Sequence, residues 1–362
     1  MNRVLKSTGL LCGLLLFAGS VLRADPATAS SPDLLAEALP ILQTSYLDAQ
    51  KLSVKEGGHL ADLIAGSNGA ISLCVPESNS ASVSILTAFL PGNIVYWRLA
   101  SFTPKKSWSD LTMELDQWNG QGARGIVLDL RSNVAPDDYA GAVQVANFFT
   151  PDGTTLFTAR NASGGDHAYT IKHNESPFHQ PIVLLIDNQT VGAAEALAAS
   201  LKMRGALVIG QATKGRAAIF GEQKLPSGQL LRFITAQVFL PDGSQLWGHP
   251  VNPDIGLTIN EQTEKSALAL IEQNRILDVT HEAAERRRLS EATLVQGKNP
   301  EWDDYLASRE KKPDASVVTK PAIQDIALIN ALDSLKAIQL AQRWTGSPLG
   351  SVAPPESSSS IQ

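Results

Sequence analysis

Between about residues 82 and 257 the chain alternates short apolar, β-branched runs with longer amphipathic stretches, and this alternation restricts the fold more than any other feature. Residues 94–99, 126–130, 182–186 and 206–209 read as buried strands, and 109–118, 139–149 and 193–203 as the helices between them. Strands separated by helices of that length need crossover connections, so the expected class is α/β with a largely parallel sheet. Residues 225–240, interrupted by Pro226, Ser227 and Gly228, read as a hairpin added to that core.

Helical segments are expected on both sides of this core. Ser31 stands as an N-cap before Pro32, and Leu35, Leu39, Leu42 and Tyr46 follow at helical spacing, with a bend expected at Pro40. A second helix is expected over 54–65, so that 25–81 forms a helical cap on an 82–258 core. Residues 259–345 read as a helical C-terminal region, with a charged, exposed insert over 282–312 and a closing amphipathic helix marked by Leu328, Leu332 and Leu335. The Ser- and Pro-rich stretch 346–362 has too little apolar area to fold and is expected to be disordered.

At the N-terminus, Arg3 and Lys6 precede an apolar run from 9 to 22, and small and polar residues follow, as in a secretory signal cleaved after Ala24 or Ser20. About fourteen apolar residues fall short of the roughly 20 that cross a membrane, so the expectation is export to the periplasm or medium without stable membrane insertion. Cys12 sits inside the apolar run, which leaves Cys74 without a partner for an internal disulfide. The net charge is −6 with no basic block, which argues against nucleic acid as a partner. His167, His173 and His179 form no ligand-spaced set, so neither a metal nor another cofactor is expected.

Three strings carry a resemblance to a known family: GIVLDLRSNVAPDD (125–138), PIVLLIDNQTVGAAEALAASL (181–201), and VIGQATKGRA (208–217) leading to FLPDGSQLWGHPVNPDI (239–255). In order and content they resemble the tail-specific, or C-terminal processing, peptidases of serine-protease family S41. Tyr46-Leu47-Asp48 also resembles that family's N-terminal region. The resemblance implies a ClpP/crotonase-like α/β core, here without the peptide-recruiting PDZ module of many members.

Such an enzyme needs a hydroxyl nucleophile, a lysine able to take its proton, and backbone N–H donors for the oxyanion. Anchored on Glu195, the resemblance places Gly192 at the nucleophilic serine, and anchored on Gly210 and Gly215 it places Arg216 at the lysine. Glycine has no side chain, and arginine stays protonated. An assisting acidic position falls on Met203, and the oxyanion turn reads Val134-Ala135-Pro136, where Pro136 has no N–H. The reading is therefore a degenerate protease that binds extended peptides or unfolded protein C-termini, or serves in assembly. The alternative is an active serine/threonine-type endopeptidase whose dyad has moved to Thr190 and Lys214, which keep the spacing of Gly192 and Arg216. Against it, a two-residue shift at a helix start turns the side chain by about 200°, and Thr190 also reads as a cap or turn hydroxyl. Asp129 reads as a buried structural carboxylate with Arg131 as its partner, and the pairs Asp137-Asp138 and Asp303-Asp304 as solvated loop residues.

Overall fold

The computed structural model describes residues 32–52, 58–74, 85–162, 164–172, 178–280 and 323–345. The signal-like segment, the charged insert and the Ser/Pro-rich tail lie outside the described residues. Two sheets organise the rest. The larger has six strands in the order β11 (Ile255–Gly256), β8 (Leu207–Gly210), β7 (Ile182–Ile186), β4 (Gly125–Asp129), β3 (Ile94–Leu99) and β2 (Ile85–Leu90). All neighbours pair in parallel except β2, which runs antiparallel to β3 along the edge.

Side-chain alternation along these strands builds a core on each face. Ile126, Leu128, Leu184 and Ile186 point to one side, under helices α3 (Trp108–Gly120), α4 (Tyr139–Ala146) and α5 (Ala193–Lys202). Val127, Val183 and Leu185 point to the other, under α6 (Glu261–Glu272), α7 (Ile276–Thr280) and α8 (Ile326–Thr345). Both faces being covered explains why these strands are continuous apolar runs. Helix starts follow the polar residues before them: Ser107 caps α3 by accepting from Asp110 N–H, Asp138 caps α4 through Gly141 N–H, and Asn260 caps α6.

The second sheet is antiparallel. Its long strand β10 (Leu230–Phe239) pairs on one edge with β9 (Ala218–Lys224) and on the other with β1 (Ile71–Cys74) and β5 (Thr155–Asn161), which pairs in turn with β6 (Asp166–Thr170). A third apolar cluster joins α1 (Pro32–Ser45) and α2 (Leu60–Gly66) to this sheet through Leu42, Leu60, Ile71, Leu231 and Phe233.

Three expectations are corrected here. The 25–81 segment is not wholly helical, because β1 crosses from it to join β10. The second cap helix begins at Leu60 rather than at 54, and the residues before it include 53–57, outside the described set. The hairpin turns at 226–228 as expected, but its first strand precedes Leu225 instead of following it.

Candidate active-site cleft

The loops that follow β4, β7 and β8 meet at the C-terminal ends of the parallel strands, the usual place for a site in such a sheet. Between these loops and the antiparallel sheet lies an open cleft of about 450 Å³, whose lining includes Pro136, Val191, Lys214, Arg216 and residues of β1.

After β7 the chain makes a tight buried turn. Thr190 Oγ1 donates to Asp187 Oδ1 at 2.8 Å and lies 3.3 Å from the Leu130 carbonyl, while Asp187 N–H donates back to Thr190 Oγ1 at 3.1 Å. Ser132 Oγ donates to the other Asp187 oxygen at 2.9 Å. Gly192 follows as the N-cap of α5, with φ +62° and ψ −123°. That conformation is costly for any residue with a Cβ. Space excludes one as well: a Cβ there would stand 2.1 Å from the Pro136 carbonyl oxygen. The same oxygen accepts from Ala193 N–H at 2.7 Å, so the first free donor of α5 is already satisfied from within the chain.

The Pro136 loop is firmly held. Asn133 Nδ2 donates to the Leu99 carbonyl at 2.6 Å, Asn133 Oδ1 accepts from Ala135 N–H at 2.8 Å, and Val134 N–H reaches the Ala100 carbonyl at 2.8 Å. On the far side Asp137 forms an ion pair with Arg232 at 2.7 Å.

Glu195, fully buried in the first turn of α5, organises the loop after β8. Its carboxylate accepts from Thr213 Oγ1, from Gly215 N–H and, at 2.8 Å, from Arg216 N–H. Burial pushes its carboxyl above the usual range, against the lowering effect of these donors. The 239–255 string closes over the same loop: Val251 N–H donates to Thr213 Oγ1 at 2.8 Å, and Gly248 N–H to the Gly215 carbonyl at 2.8 Å. The string also reaches β8, where Asp254 accepts from Val208 N–H at 2.9 Å, and the end of α5, where Lys202 pairs with Asp254 at 2.8 Å.

Thr190 and Lys214 meet through their backbones, Lys214 N–H donating to the Thr190 carbonyl at 3.2 Å. Their side chains do not pair. The Thr190 hydroxyl is buried in its own turn, and the Lys214 side chain is exposed. Arg216 is exposed too, its guanidinium lying over Gly69, where a Cβ would come within 2.6 Å of Nη1. With φ +84° as well, position 69 suits glycine. Met203 is the C-cap at the opposite end of α5 from Gly192, 49% exposed. Asp137 is paired with Arg232 and Asp138 caps α4, while 303–304 lie outside the described residues.

Asp129 and Arg131 form the expected pair, and the structure extends it. Arg131 Nε and Nη2 donate to the two Asp129 oxygens at 2.9 and 2.7 Å, and the guanidinium also reaches Asp325 Oδ2 at 2.7 Å and Glu264 Oε1 at 3.2 Å. This buried cluster ties α6 and the start of α8 to the strand end behind the cleft. Neither Asp325 nor Glu264 was legible as a partner, since each lies more than 130 positions from Arg131 (separations 194 and 133).

Residues 93–257 match the family model described as peptidase family S41. A carboxyl-terminal-processing protease of Synechocystis sp. is 28% identical over 196 residues, covering 54% of this chain and 44% of that protein. Carboxy-terminal processing protease CtpA of Bacillus subtilis is 23% identical over 188 residues, covering 52% of this chain and 40% of that protein. Among solved structures, the photosystem II D1 C-terminal processing protease matches with 24% identity and a TM-score of 0.43, covering 56% of this chain and 54% of that one. The chain spans less than half the length of these two curated relatives. The three strings and the family match agree, so the 93–257 core is similar to peptidase family S41 and to the C-terminal processing proteases.

Proposed function

We propose that this chain is an exported S41 relative that no longer cleaves peptide bonds and keeps its cleft to hold extended peptide, as a binding or assembly module. The observation that carries the reading is the contact between Pro136 and the start of α5. On the resemblance, Gly192 takes the nucleophile's place, and it offers no hydroxyl. Ala193 N–H, the donor next to it, is bonded to the Pro136 carbonyl at 2.7 Å instead of facing the cleft. An oxyanion needs donors that are free when charge develops, and removing one such donor alone costs about 10² to 10³ in rate. Arg216, at the base position, remains a cation and cannot accept a proton.

Export is part of the same proposal and rests on the Arg3/Lys6 flank and the apolar run to 22. N-terminal sequencing of the mature protein from its host should begin near Asp25.

Purified protein incubated with unfolded proteins and C-terminally tagged peptides is expected to give no cleavage above a buffer control. Cleavage abolished by Thr190→Val or Lys214→Met would instead establish the relocated dyad.

A further inference from the structure

The protein as a whole carries a net charge of −6, yet among the described residues its cleft is bordered by four cations, Lys214, Arg216, Arg232 and Lys265, and by one carboxylate, Glu261. Two of the four are compensated. Arg232 pairs with Asp137 at 2.7 Å and Glu222 at 3.0 Å, and Lys265 pairs with Glu261 at 2.6 Å. Lys214 and Arg216 are exposed and make no ion pair or side-chain hydrogen bond among the described residues. Unpartnered positive charge in a cleft of a negatively charged molecule selects for an anionic occupant.

The loop that carries these two cations is held from both sides. Thr213 Oγ1, Gly215 N–H and Arg216 N–H all donate to the buried carboxylate of Glu195, which is thereby directed to the backbone of the loop. Lys214 N–H donates to the Thr190 carbonyl at 3.2 Å, and the Gly215 carbonyl accepts from Gly248 N–H at 2.8 Å. A backbone fixed in this way places the two charges before a ligand arrives, which lowers the ordering cost of binding. Ile71, Leu73, Val134, Val191 and Phe220 add apolar surface to the same cleft. The occupant that fits both features carries carboxylates beside apolar groups.

We infer that the cleft selects acidic segments, with Arg216 and Lys214 setting its specificity by holding Asp or Glu side chains from within the ligand and with no requirement for a chain end; this rests on the peptide-binding reading above. Arg216 stands where the resemblance puts the base. The substitution that removes proton transfer there also supplies a planar fork, which donates two parallel N–H bonds to one carboxylate. Lys214, one glycine away, offers a second, pointlike charge. An amide side chain forgoes both charge-assisted bonds, and an ammonium is repelled. Because the two cations are exposed, the selectivity is modest and weakens as salt screens it.

The test uses the full chain and fluorescence anisotropy of three peptides of about ten residues, each labelled at its N-terminus and amidated at its C-terminus so that neither end carries a charge. Four alternate positions are Glu, Gln or Lys, and the others are Ser and Thr. The Glu peptide is expected to bind about tenfold more tightly than the Gln peptide at low salt, as two exposed charge pairs allow, and the Lys peptide most weakly. The double variant Lys214→Glu, Arg216→Glu should reverse that order, a gain of Lys-peptide binding that misfolding does not produce; circular dichroism checks the fold. Arg124→Gln, which removes an exposed cation just before β4, at the opposite end of the strands from the cleft, should leave the preference intact. Equal binding of the three peptides, a Glu preference that survives the double variant, or one that Arg124→Gln reduces as much, overturns the inference while the peptide-binding reading stands. Absence of binding by every peptide at millimolar concentration overturns both.

Discussion

The carbonyl of Pro136 occupies the space that a side chain on Gly192 would need: an added Cβ falls 2.1 Å from that oxygen. Gly192 and Pro136 are therefore coupled. A side chain at 192 requires the 133–138 loop to move, and that loop is tied to Leu99, Ala100 and Arg232.

Gly192→Ser is accordingly expected to destabilise the fold by about 2–4 kcal/mol, from the left-handed backbone and the steric conflict together. Urea unfolding of the two proteins measures this. The double variant Gly192→Ser, Arg216→Lys should stay inactive toward unfolded substrates, because Ala193 N–H still faces Pro136. Recovery of substantial turnover in that variant would show that the loop yields easily.

Glu195→Ala removes the acceptor shared by Thr213 Oγ1, Gly215 N–H and Arg216 N–H in a buried place. Leaving those donors unmet should cost about 3 kcal/mol. Amide hydrogen exchange should accelerate at Gly215 and Arg216 well before it does in β4 or β7. Uniform acceleration across the domain would mean that Glu195 acts on global stability and does not hold the loop.

Asp325→Ala leaves Arg131 with two of its three carboxylates and frees the start of α8. Breaking a buried pair of this kind costs about 3–5 kcal/mol. The readout is a lower urea midpoint together with faster exchange across residues 326–335. An unchanged midpoint would show that Asp129 and Glu264 satisfy the guanidinium without it.

Glu264 supplies a pH test. Burial, with Asp187 and Asp129 nearby, holds its carboxyl at about 7 despite Arg131, against an ordinary 4.5. The folded state keeps this proton to higher pH than the unfolded chain does. Its stabilising effect is therefore complete below about 4.5 and is lost as pH rises through 7, a change of roughly 3 kcal/mol. Urea midpoints at pH 5 and 8 should differ in that sense, and Glu264→Gln should remove most of the difference. Glu195, also raised by burial, contributes with the same sign, while Asp129, which is lowered, acts only below about 4. A Glu264→Gln protein with an undiminished slope would assign the effect elsewhere.

The local pattern of the sequence determined a good part of this molecule. Period, caps and apolar runs placed β3, β4, β7 and β8 and the helices between them, because strand and helix formation there depends on neighbours within about ten residues. The three family strings named the loops that form the cleft, and the resemblance placed Gly192, which has no side chain, at the nucleophile's position. Tertiary structure decided the rest. The antiparallel sheet joins residues 71–74, 155–170 and 218–239, and pairings over such distances leave little trace in local periodicity. The Arg131 cluster depends on Asp325 and Glu264 arriving from the C-terminal helices. Whether Thr190 and Lys214 form a dyad turned on side-chain direction: two backbones in contact sent one hydroxyl inward to Asp187 and one lysine outward to solvent. Above all, the seating of the Pro136 carbonyl on Ala193 N–H brings together residues 57 apart, and only the packed loops determine where a backbone oxygen of the first lies relative to a helix start at the second.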